Sequence, residues 1–334
     1  MKKLSFIILC FIMFSCKTSK KTEYWYYEGP IQGTTFHIKY EWNEDLANDI
    51  DSLLQTFNKY LSNYDTTSVI SKINNNLDYE INNLVTRMIS ASFEIYNKTN
   101  GAFDITIAPL ANLWGFGWIN KEEKSIPDSL IVDSILQYVG MDKIILKDNM
   151  IVKSNPDIKI IGNAIAQGLS ADYVSEYFLE LGLDNFLVEI GGEIYCHGLN
   201  PNGKIWSIGI DKPVEDSKYE DRENQLMVGL SNKGIATSGN YRKFFREKDQ
   251  KYGHSIDPRT GYPAENSLLS VSVISNSAME SDGYATAFMV MGLKESLIIA
   301  EELNELEAYF IYEDENGDER VIYTSGFDNY ILYK

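Results

Sequence analysis

A turn in the C-terminal third of the chain concentrates residues that could do acid–base chemistry. His254, one of three histidines, opens the segment His254-Ser255-Ile256-Asp257-Pro258-Arg259-Thr260-Gly261-Tyr262-Pro263. The ordinary pKa of imidazole lies near neutral pH, so His254 is a candidate general base. Pro258 and Gly261 favour a tight backbone that would hold polar groups in fixed positions. A plain structural turn explains this segment equally well.

A second candidate site lies in Met279-Glu280-Ser281-Asp282-Gly283-Tyr284-Ala285-Thr286. Asp282 and Thr286 are four residues apart, so a helix would present their carboxylate and hydroxyl on one face. These hard oxygen ligands suit Mg²⁺ or Ca²⁺, whereas zinc would prefer cysteine or histidine. The alternative is that Asp282 stabilises the start of a helix and that Thr286 follows by chance.

The charge balance restricts the partners of the protein. Among 334 residues, 48 Asp and Glu stand against 30 Lys and Arg, and the formal net charge is −18. Nucleic-acid binding depends on Lys and Arg side chains that neutralise phosphates, so we expect no nucleic-acid partner. A phosphate-bearing ligand would need a cation to offset this negative field.

The N-terminal residues are typical of a targeting segment. Lys2 and Lys3 precede an apolar run from Leu4 to Phe14, which is too short to span a bilayer, and Ser15 precedes Cys16. This pattern is similar to a bacterial lipoprotein signal, in which the cysteine is lipidated and becomes the first residue. We therefore expect a signal peptide over 1–15, a lipidated tether over 16–28 and one folded domain over 29–334. An ordinary secretory peptide or an uncleaved anchor remains the alternative.

Cysteine usage agrees with export. Cys10 lies in the signal and Cys16 would carry lipid, which leaves Cys196 alone in the folded part, so no intramolecular disulfide is expected. In the alternating segment around Cys196 and His197, neighbouring side chains point to opposite faces of a strand. Cys196 is therefore expected to be a buried structural residue.

The positions of apolar residues predict a mixture of helices and strands. Helical spacing follows Asn43 and continues to Leu61, and further helical patterns cover about 84–100, 164–181, 278–291 and 293–304. Short strands are expected over 34–40, 143–147, 158–161, 193–197, 268–274, 307–312 and 321–324, and three more, over 186–190, 205–210 and 226–230, are expected in one sheet. Because strands and helices do not alternate regularly, the pattern favours an α+β fold over a doubly wound sheet.

Short motifs that periodicity does not explain recur along the chain. Besides the two segments above, they are Gln32-Gly33-Thr34-Thr35-Phe36, Leu61-Ser62-Asn63-Tyr64, Gly101-Ala102-Phe103-Asp104-Ile105-Thr106, Pro109-Leu110-Ala111-Asn112-Leu113-Trp114-Gly115-Phe116-Gly117, Asn163-Ala164-Ile165-Ala166-Gln167-Gly168, Ile190-Gly191-Gly192-Glu193 and Ala236-Thr237-Ser238-Gly239-Asn240-Tyr241-Arg242. In this order the set resembles the FAD:protein FMN transferases, the ApbE-like flavin transferases. The resemblance extends over nearly the whole chain after the signal.

The resemblance implies an α+β fold with a T-fold-like core of mixed or antiparallel sheet and packed helices. It implies FAD as substrate, a required Mg²⁺, and transfer of FMN onto a threonine of an exported acceptor protein with release of AMP. His254 and Asp282 would be catalytic, and Asp282, Thr286 and the backbone carbonyl of Ala164 would hold the metal. The flavin contacts map onto Gln32, Tyr64, Ala102, Phe103, Asp104, Gln167 and Ile256.

Other residues are assigned less directly. Planar rings at Tyr64 and Phe103 could stack on or flank the flavin. Trp114 is expected to shape the pocket by packing. Arg242, Lys243 and Arg259 could meet phosphates, although charges exposed to solvent are the default interpretation.

The sequence also departs from the family pattern. Ile161 stands where members commonly carry an aspartate that contacts the flavin nucleotide, and Gly162 replaces an apolar residue beside it. Gln32 and Gln167 replace residue types that are frequent in the family, which should tune affinity more than chemistry. Because His254, Asp257, Asp282 and Thr286 match the pattern, we favour an active transferase.

Two other functions stay open on the sequence alone. One is a metal-dependent FAD pyrophosphatase, in which water replaces the threonine and FMN and AMP are released. The other is a flavin-binding lipoprotein without catalytic activity. In each case we expect a lipid-anchored membrane protein that faces the periplasm.

Overall fold

A computed structural model gives the fold and describes residues 22–119, 125–214, 223–240, 244–247 and 250–333. The signal, Cys16, Arg242 and Lys243 lie outside the described residues. The strands are β1 Glu23–Ile31, β2 Thr34–Trp42, β3 Ile144–Lys147, β4 Met150–Lys153, β5 Phe186–Ile190, β6 Glu193–His197, β7 Trp206–Asp211, β8 Asn224–Leu230, β9 Lys233–Gly239, β10 Phe244–Glu247, β11 Gln250–Gly253, β12 Leu268–Ser275, β13 Glu307–Glu313, β14 Glu319–Tyr323 and β15 Ile331–Tyr333. The α-helices are α1 Ala47–Leu61, α2 Val69–Asn74, α3 Asn83–Lys98, α4 Ala108–Leu113, α5 Ser129–Leu136, α6 Ala166–Leu181, α7 Ala278–Met291 and α8 Leu293–Glu302.

A large antiparallel sheet organises the molecule. Its strand order is β1-β2-β5-β6-β9-β12-β13-β14, and its neighbouring strands pair antiparallel. Helices α6 and α7 pack on the central strands of one face. This architecture confirms the predicted α+β class with an antiparallel sheet and packed helices.

The strands β7 and β8 correct one prediction. They pair with each other and with β15 in a separate three-stranded sheet, and they do not join β5 in the large sheet. An apolar cluster that includes Trp206, Val228, Ile235 and Phe327 fills the space between the two sheets. Burial alternates along β7, which shows that one face of this strand is covered. Periodicity identified these strands, but it carries no information on their partners.

The N-terminal strand β1 corrects the predicted tether over 16–28. Residues Glu23–Ile31 form the edge strand of the large sheet and pair with β2 along their whole length. Trp25 and Tyr27 pack against the helix side of the sheet, whereas Tyr24 packs on the other side. Because both faces carry aromatic residues, the segment lacks the alternation of polar and apolar residues that identifies a half-buried strand.

The turn between β1 and β2 follows from its two residues. Gln32 has φ of 51° and Gly33 has φ of 77°. Positive φ at both central residues is the requirement of a type I′ turn, whose twist matches that of the flanking strands. The turn therefore places Gln32 at one end of the large sheet.

The helices that matter for the site begin and end at residues suited to these positions. Helix α6 ends at Gly182, whose φ of 84° is the left-handed conformation of a C-cap. Helix α7 begins after Ser277, whose hydroxyl accepts a hydrogen bond from the amide of Glu280. In the described part of the chain, no helix combines the length and the apolar composition needed to cross a membrane.

The segment 158–161, predicted as a strand, is extended but forms only an isolated bridge from Lys159 to Ile107. Side chains replace the missing strand partners. The amide groups of Asn63 and Asn74 both donate to the carbonyl of Ile160, at 2.8 Å each. A side-chain partner of this kind cannot be read from the segment itself.

Cys196 is fully buried in β6, and its Sγ lies 3.8 Å from the carbonyl oxygen of Lys233. Burial raises the pKa of this thiol to about 12, which keeps it protonated and unreactive at neutral pH. The predicted structural role of Cys196 is confirmed.

Candidate active site

Helices α6 and α7 approach closely at the centre of the molecule. A Cβ atom on Gly168 would lie 2.3 Å from the carbonyl oxygen of Ala278 and 2.8 Å from the Cα of Met279. On the other side, a Cβ atom on Gly234 of β9 would lie 2.3 Å from the amide nitrogen of Ala278. The first turn of α7 is therefore held between α6 and β9, and only glycine fits at the two contact positions.

Asp282 lies on α7 next to this crossing and is 5% exposed. The amide of Gly168 donates to its Oδ2 at 3.2 Å. Burial raises the pKa of the Asp282 carboxyl to about 7; the Gly168 hydrogen bond opposes this shift, and the nearby Asp172 carboxylate adds to it. Over the described residues, no Lys or Arg forms an ion pair with Asp282. A cation at this carboxylate would relieve the cost of burying its charge.

The start of α6 supplies a second oxygen. In a regular helix the amide of Gly168 would donate to the carbonyl of Ala164, but here it donates to Asp282. The amide of Leu169 donates to the carbonyl of Ile165, and the amide of Ala166 donates to the carbonyl of Gly162. The carbonyl of Ala164 is therefore spared the usual helical donor, as the predicted ligand role requires.

Thr286 lies one turn after Asp282 on α7, and its Oγ1 is 3.2 Å from the Oγ of Ser238 on β9. A carboxylate, a hydroxyl and a backbone carbonyl form an all-oxygen donor set that fits Mg²⁺ and not zinc. In the described ranges, no three His, Cys, Asp or Glu side chains are arranged to hold a metal ion. A cation here would therefore complete its coordination with oxygens of substrate and water.

The histidine turn is rigid because its backbone and side chains bond to each other. The amides of Asp257 and Gly261 donate to the carbonyls of Tyr262 and Asp257, at 2.8 Å each. Arg259 binds the carboxylate of Asp257 through Nε and Nη2, also at 2.8 Å each. This pairing uses the charge that could have met a phosphate, so in this structure Arg259 is a structural residue.

Hydrogen bonds connect the histidine turn to the oxygen ligands. Ser255, next to His254, donates from its hydroxyl to Oδ1 of Asn240 at 2.9 Å. Asn240 follows Ser238, whose hydroxyl contacts Thr286, by two residues. The ring of His254 lies against Phe116, with 6.3 Å between centroids and an edge-to-face angle of 65°. The structure thus joins the candidate base and the candidate cation ligands through the end of β9.

Trp114 packs against the histidine turn. It is 1% exposed, and its Nε1 donates to the carbonyl of Gly261 at 2.9 Å. Its ring also contacts those of Tyr252 and Tyr262. This placement agrees with the prediction that Trp114 acts by packing.

We expect Trp114→Phe to lower the free energy of unfolding by about 1–2 kcal/mol, because the buried Gly261 carbonyl loses its donor. Urea unfolding measures this. Trp42→Phe is a matched control, because the Trp42 Nε1 atom is buried without a hydrogen-bond partner in the described structure. An equal loss in the two variants would contradict the assigned role of the Trp114 hydrogen bond.

Two predicted flavin contacts meet at one end of the sheet. Gln32 donates from Nε2 to the hydroxyl of Ser170 on α6 at 3.1 Å. The Nε2 of Gln167 would lie 2.2 Å from a Cβ atom on Gly191, so its amide group covers the turn between β5 and β6. Both glutamines thus lie close to the start of α6, and Ala164 lies in the turn just before this helix.

The other predicted flavin contacts differ in exposure. Tyr64 is 64% exposed and its ring is available for stacking. Phe103 is 1% exposed and its ring belongs to the hydrophobic core, so it does not offer a stacking face as predicted. Ala102 and Ile256 are also buried. Contacts from these three residues to a flavin would use backbone atoms.

Both carboxylate oxygens of Asp104 accept hydrogen bonds from nearby residues. Its Oδ1 accepts from the amide and the hydroxyl of Thr106, and its Oδ2 accepts from the amide of Met141. Burial raises the pKa of this carboxyl to about 6, and the three hydrogen bonds oppose the shift. Asp104 therefore shapes the loop that follows Phe103, and the structure assigns it no free lone pair on Oδ1.

The departure at Ile161 lies beside this loop. Ile161 is buried, and its amide donates to the carbonyl of Ile105 at 2.8 Å. The neighbouring amide of Gly162 donates to Asn63 at 3.1 Å, which places Tyr64 close to the same segment. An apolar side chain therefore occupies the position where a family aspartate would contact the nucleotide.

Sequence reasoning missed two positions that the structure brings into the site. Asn240 connects the histidine turn to β9, and Asp172 on α6 binds the start of α7. Asp172 carried a usable signal, because it follows Gly168 by four residues on the buried face of an apolar helix. A polar residue at such a position needs a buried partner.

The chain is similar to proteins of known type. The model of the ApbE family matches residues 32–310. The FAD:protein FMN transferase of Haemophilus influenzae is 34% identical over 314 residues, which cover 89% of each chain. That of Vibrio cholerae is 33% identical over 93% of this chain and 94% of the relative.

Solved structures of flavin transferases have a similar fold. The flavin transferase ApbE from Vibrio cholerae superposes with a TM-score of 0.82 at 31% identity, covering 92% of this chain and 99% of that one. The apo form of the Pseudomonas stutzeri flavinyl transferase ApbE gives 0.82 at 28% identity, covering 94% and 98%. In sequence and in fold, the chain belongs to the ApbE family.

Proposed function

We propose that this protein is an FAD:protein FMN transferase that moves FMN from FAD onto a threonine of an exported acceptor protein. The main support for the proposal is sequence similarity. About one-third of the residues are identical to those of proteins named FAD:protein FMN transferase, over roughly nine-tenths of this chain and of each relative. The connection between the histidine turn and the oxygen-lined end of α6 and α7 supports it.

The reaction joins the threonine Oγ to the phosphorus of the FMN half of FAD. The pyrophosphate bond to the AMP half breaks, AMP leaves with the bridging oxygen, and the threonine loses its proton. A hydroxyl is a weak nucleophile until a base takes this proton, and His254 is the candidate base in this site. The rigid turn from Asp257 to Tyr262 and the contact with Phe116 hold its ring in place.

The residues that would hold Mg²⁺ are Asp282, Thr286 and the carbonyl of Ala164. When bound, Mg²⁺ neutralises charge on the pyrophosphate of a substrate that otherwise meets a protein of net charge −18. Asp282 has a role of its own before substrate arrives, because its buried carboxylate and the Gly168 amide fix the start of α6 against α7.

The flavin is proposed to lie across the ends of the strands, near Tyr64, Gln167 and Gln32. Tyr64 offers an exposed ring, and the two glutamines offer amide groups at the β1–β2 and β5–β6 turns. Ile161 removes one polar contact from this surface. We expect this change to weaken FAD binding without affecting the chemical step.

We also propose that the protein is anchored by lipid at Cys16 and works on the periplasmic side of a membrane. The basic and apolar N-terminal run that ends at Ser15 and Cys16 supports this location. Metabolic labelling with a fatty-acid probe should mark the full chain and not a Cys16→Ser variant. An equally labelled variant would contradict lipidation at this residue.

Intact mass spectrometry tests the activity. The soluble protein is incubated with FAD, Mg²⁺ and an acceptor domain that contains the target threonine, with EDTA in a parallel sample. We expect the acceptor to gain the mass of one FMN only when Mg²⁺ is present. Release of FMN and AMP with an unmodified acceptor would indicate a pyrophosphatase, and unchanged FAD would indicate a carrier protein.

A further inference from the structure

Asp172 is a buried carboxylate that the proposed chemistry does not use. It lies on α6, one turn after Gly168, and is 5% exposed. Its oxygens accept three hydrogen bonds from the start of α7, at 2.7 Å from the hydroxyl of Ser277, 2.8 Å from the amide of Ala278 and 2.9 Å from the amide of Met279. A side chain of one helix therefore binds the N-terminus of another.

These bonds fix the position of α7 as well as its end. Ser277 already caps the helix, because its hydroxyl accepts from the amide of Glu280 and its carbonyl accepts from the amide of Ser281. Asp172 adds acceptors for the two preceding amides. Together the two residues satisfy the amides of Ala278, Met279 and Glu280, which have no acceptor within the helix, whereas an ordinary N-cap satisfies one or two such amides. The additional bonds attach this helix to α6.

The attachment lies next to the residues proposed to bind the cation. Helix α7 carries Asp282 and Thr286, and the turn before α6 carries Ala164. Gly168 lies against Ala278, and its amide reaches Asp282. A sliding motion or a rotation of α7 against α6 would separate these ligands, and it would have to break the three Asp172 bonds first.

The charge of Asp172 is costly for stability alone. Burial raises the pKa of its carboxyl, and only hydrogen bonds from neutral groups oppose this shift. No Lys or Arg pairs with it in the described portion of the chain. A buried charge without a countercharge is retained at a cost, and its negative field also reaches the neighbouring Asp282.

From this geometry, and on the basis of the proposed function, we propose that Asp172 is a positioning residue for the cation site. It holds α7 in the register at which Asp282, Thr286 and the Ala164 carbonyl can bind one Mg²⁺. It touches neither the cation nor the substrate, and acts through the backbone of α7. Residues that orient metal ligands in this way commonly change metal affinity by about 10–100-fold when replaced.

The test measures cation binding directly. Mn²⁺ is titrated into the full chain without its signal, and free Mn²⁺ is followed by electron paramagnetic resonance, without FAD or acceptor. We expect Asp172→Asn to weaken Mn²⁺ binding about 10-fold or more. The asparagine keeps one acceptor oxygen but loses the charge and the second acceptor. The Mg²⁺ concentration for half-maximal transfer should rise by a similar factor, with less than about 3-fold change in the KM for FAD at saturating Mg²⁺.

Asn82→Ala is the matched control, because Asn82 caps α3 through the amide of Val85, in a helix that carries none of the cation ligands. It should leave Mn²⁺ binding unchanged. Ser277→Ala removes the hydroxyl bond to Asp172 together with the bond from the amide of Glu280, and it keeps the charge of Asp172 and its two bonds from the α7 amides. We expect a smaller, roughly 3-fold weakening. If Asp172→Asn does not fold, the Mn²⁺ binding of Ser277→Ala tests the proposal in its place.

Unchanged Mn²⁺ binding in folded Asp172→Asn, or in Ser277→Ala if the first variant is unfolded, would overturn the inference. A different result would contradict the proposed function: the unaltered protein would bind Mn²⁺ but would not modify the acceptor.

Discussion

Replacing His254 by alanine is expected to lower the rate of FMN transfer by about 10²–10⁴-fold, the usual contribution of a general base. The imidazole is the group that would take the threonine proton. Its removal leaves the oxygen ligands on α7 and the exposed Tyr64 ring in place. FAD binding should therefore change by no more than a few-fold, and the loss should appear in kcat.

The measurement is the initial rate of acceptor labelling at saturating FAD, together with FAD affinity from fluorescence quenching. Thr260→Ala is the control, because Thr260 is exposed in the same turn and its hydroxyl accepts only a 3.3 Å bond from the amide of Tyr262. Labelling by His254→Ala at the rate of this control would exclude His254 as the base.

Replacing Asp282 by asparagine is expected to abolish transfer to within the detection limit and, at the same time, to stabilise the metal-free protein at neutral pH. The carboxylate would bind the cation with a full charge, and an amide oxygen cannot replace that charge. The stabilisation follows from the burial of the same carboxylate, whose pKa is raised to about 7 from its ordinary value of 3.8.

The sign of the pH dependence follows from proton binding. Between about pH 4 and pH 7 the folded protein keeps the proton of Asp282, whereas the unfolded chain has lost it. The unfolded state therefore binds fewer protons, and the contribution of Asp282 to the free energy of unfolding falls as pH rises through this window. Asparagine has no such dependence. The stability of the variant relative to the metal-free unaltered protein should therefore rise from pH 4 to pH 7.

Urea unfolding in EDTA at several pH values measures this difference, and the labelling assay measures the loss of transfer. Glu307→Gln is the control, because Glu307 also accepts hydrogen bonds in a partly buried setting, from Thr324 and Gly326, but lies on β13 and not at the α6–α7 crossing. A parallel pH profile in Asp282→Asn and the unaltered protein would contradict the raised pKa.

Much of the site could be predicted because its chemistry is local in sequence. Asp282 and Thr286 are one helical turn apart, and the structure places them on α7 as the spacing predicts. The turn that follows His254 is built from its own Pro and Gly residues, and its hydrogen bonds join neighbours. The resemblance to a family added the flavin contacts and Ala164, which no spacing argument would identify.

The remainder depends on contacts between distant residues. Asp172 and Ser277 are 105 positions apart and meet only because two helices cross at Gly168. The residue type of an aromatic side chain does not show whether its ring is buried. Both Phe103 and Tyr64 were therefore predicted to stack on the flavin, although Phe103 lies in the core and Tyr64 is exposed. Strand β1 escaped prediction because aromatic residues lie on both of its faces, so its sequence does not alternate between polar and apolar residues.

The crossing of α6 and α7 also determines when the site can form during folding. Between these helices the chain builds β5, β6, β9 and β12, which are central strands of the large sheet. Contacts of such long sequence separation close late, because loop-closure entropy opposes them until the intervening structure is in place. A chain that ends before Ser277 would carry every candidate flavin contact, from Gln32 to Ile256, but neither of the α7 oxygens. Competence to bind the cation therefore requires the fold to be complete through α7, so the emergence of cation binding during refolding would mark the closure of the α6–α7 crossing.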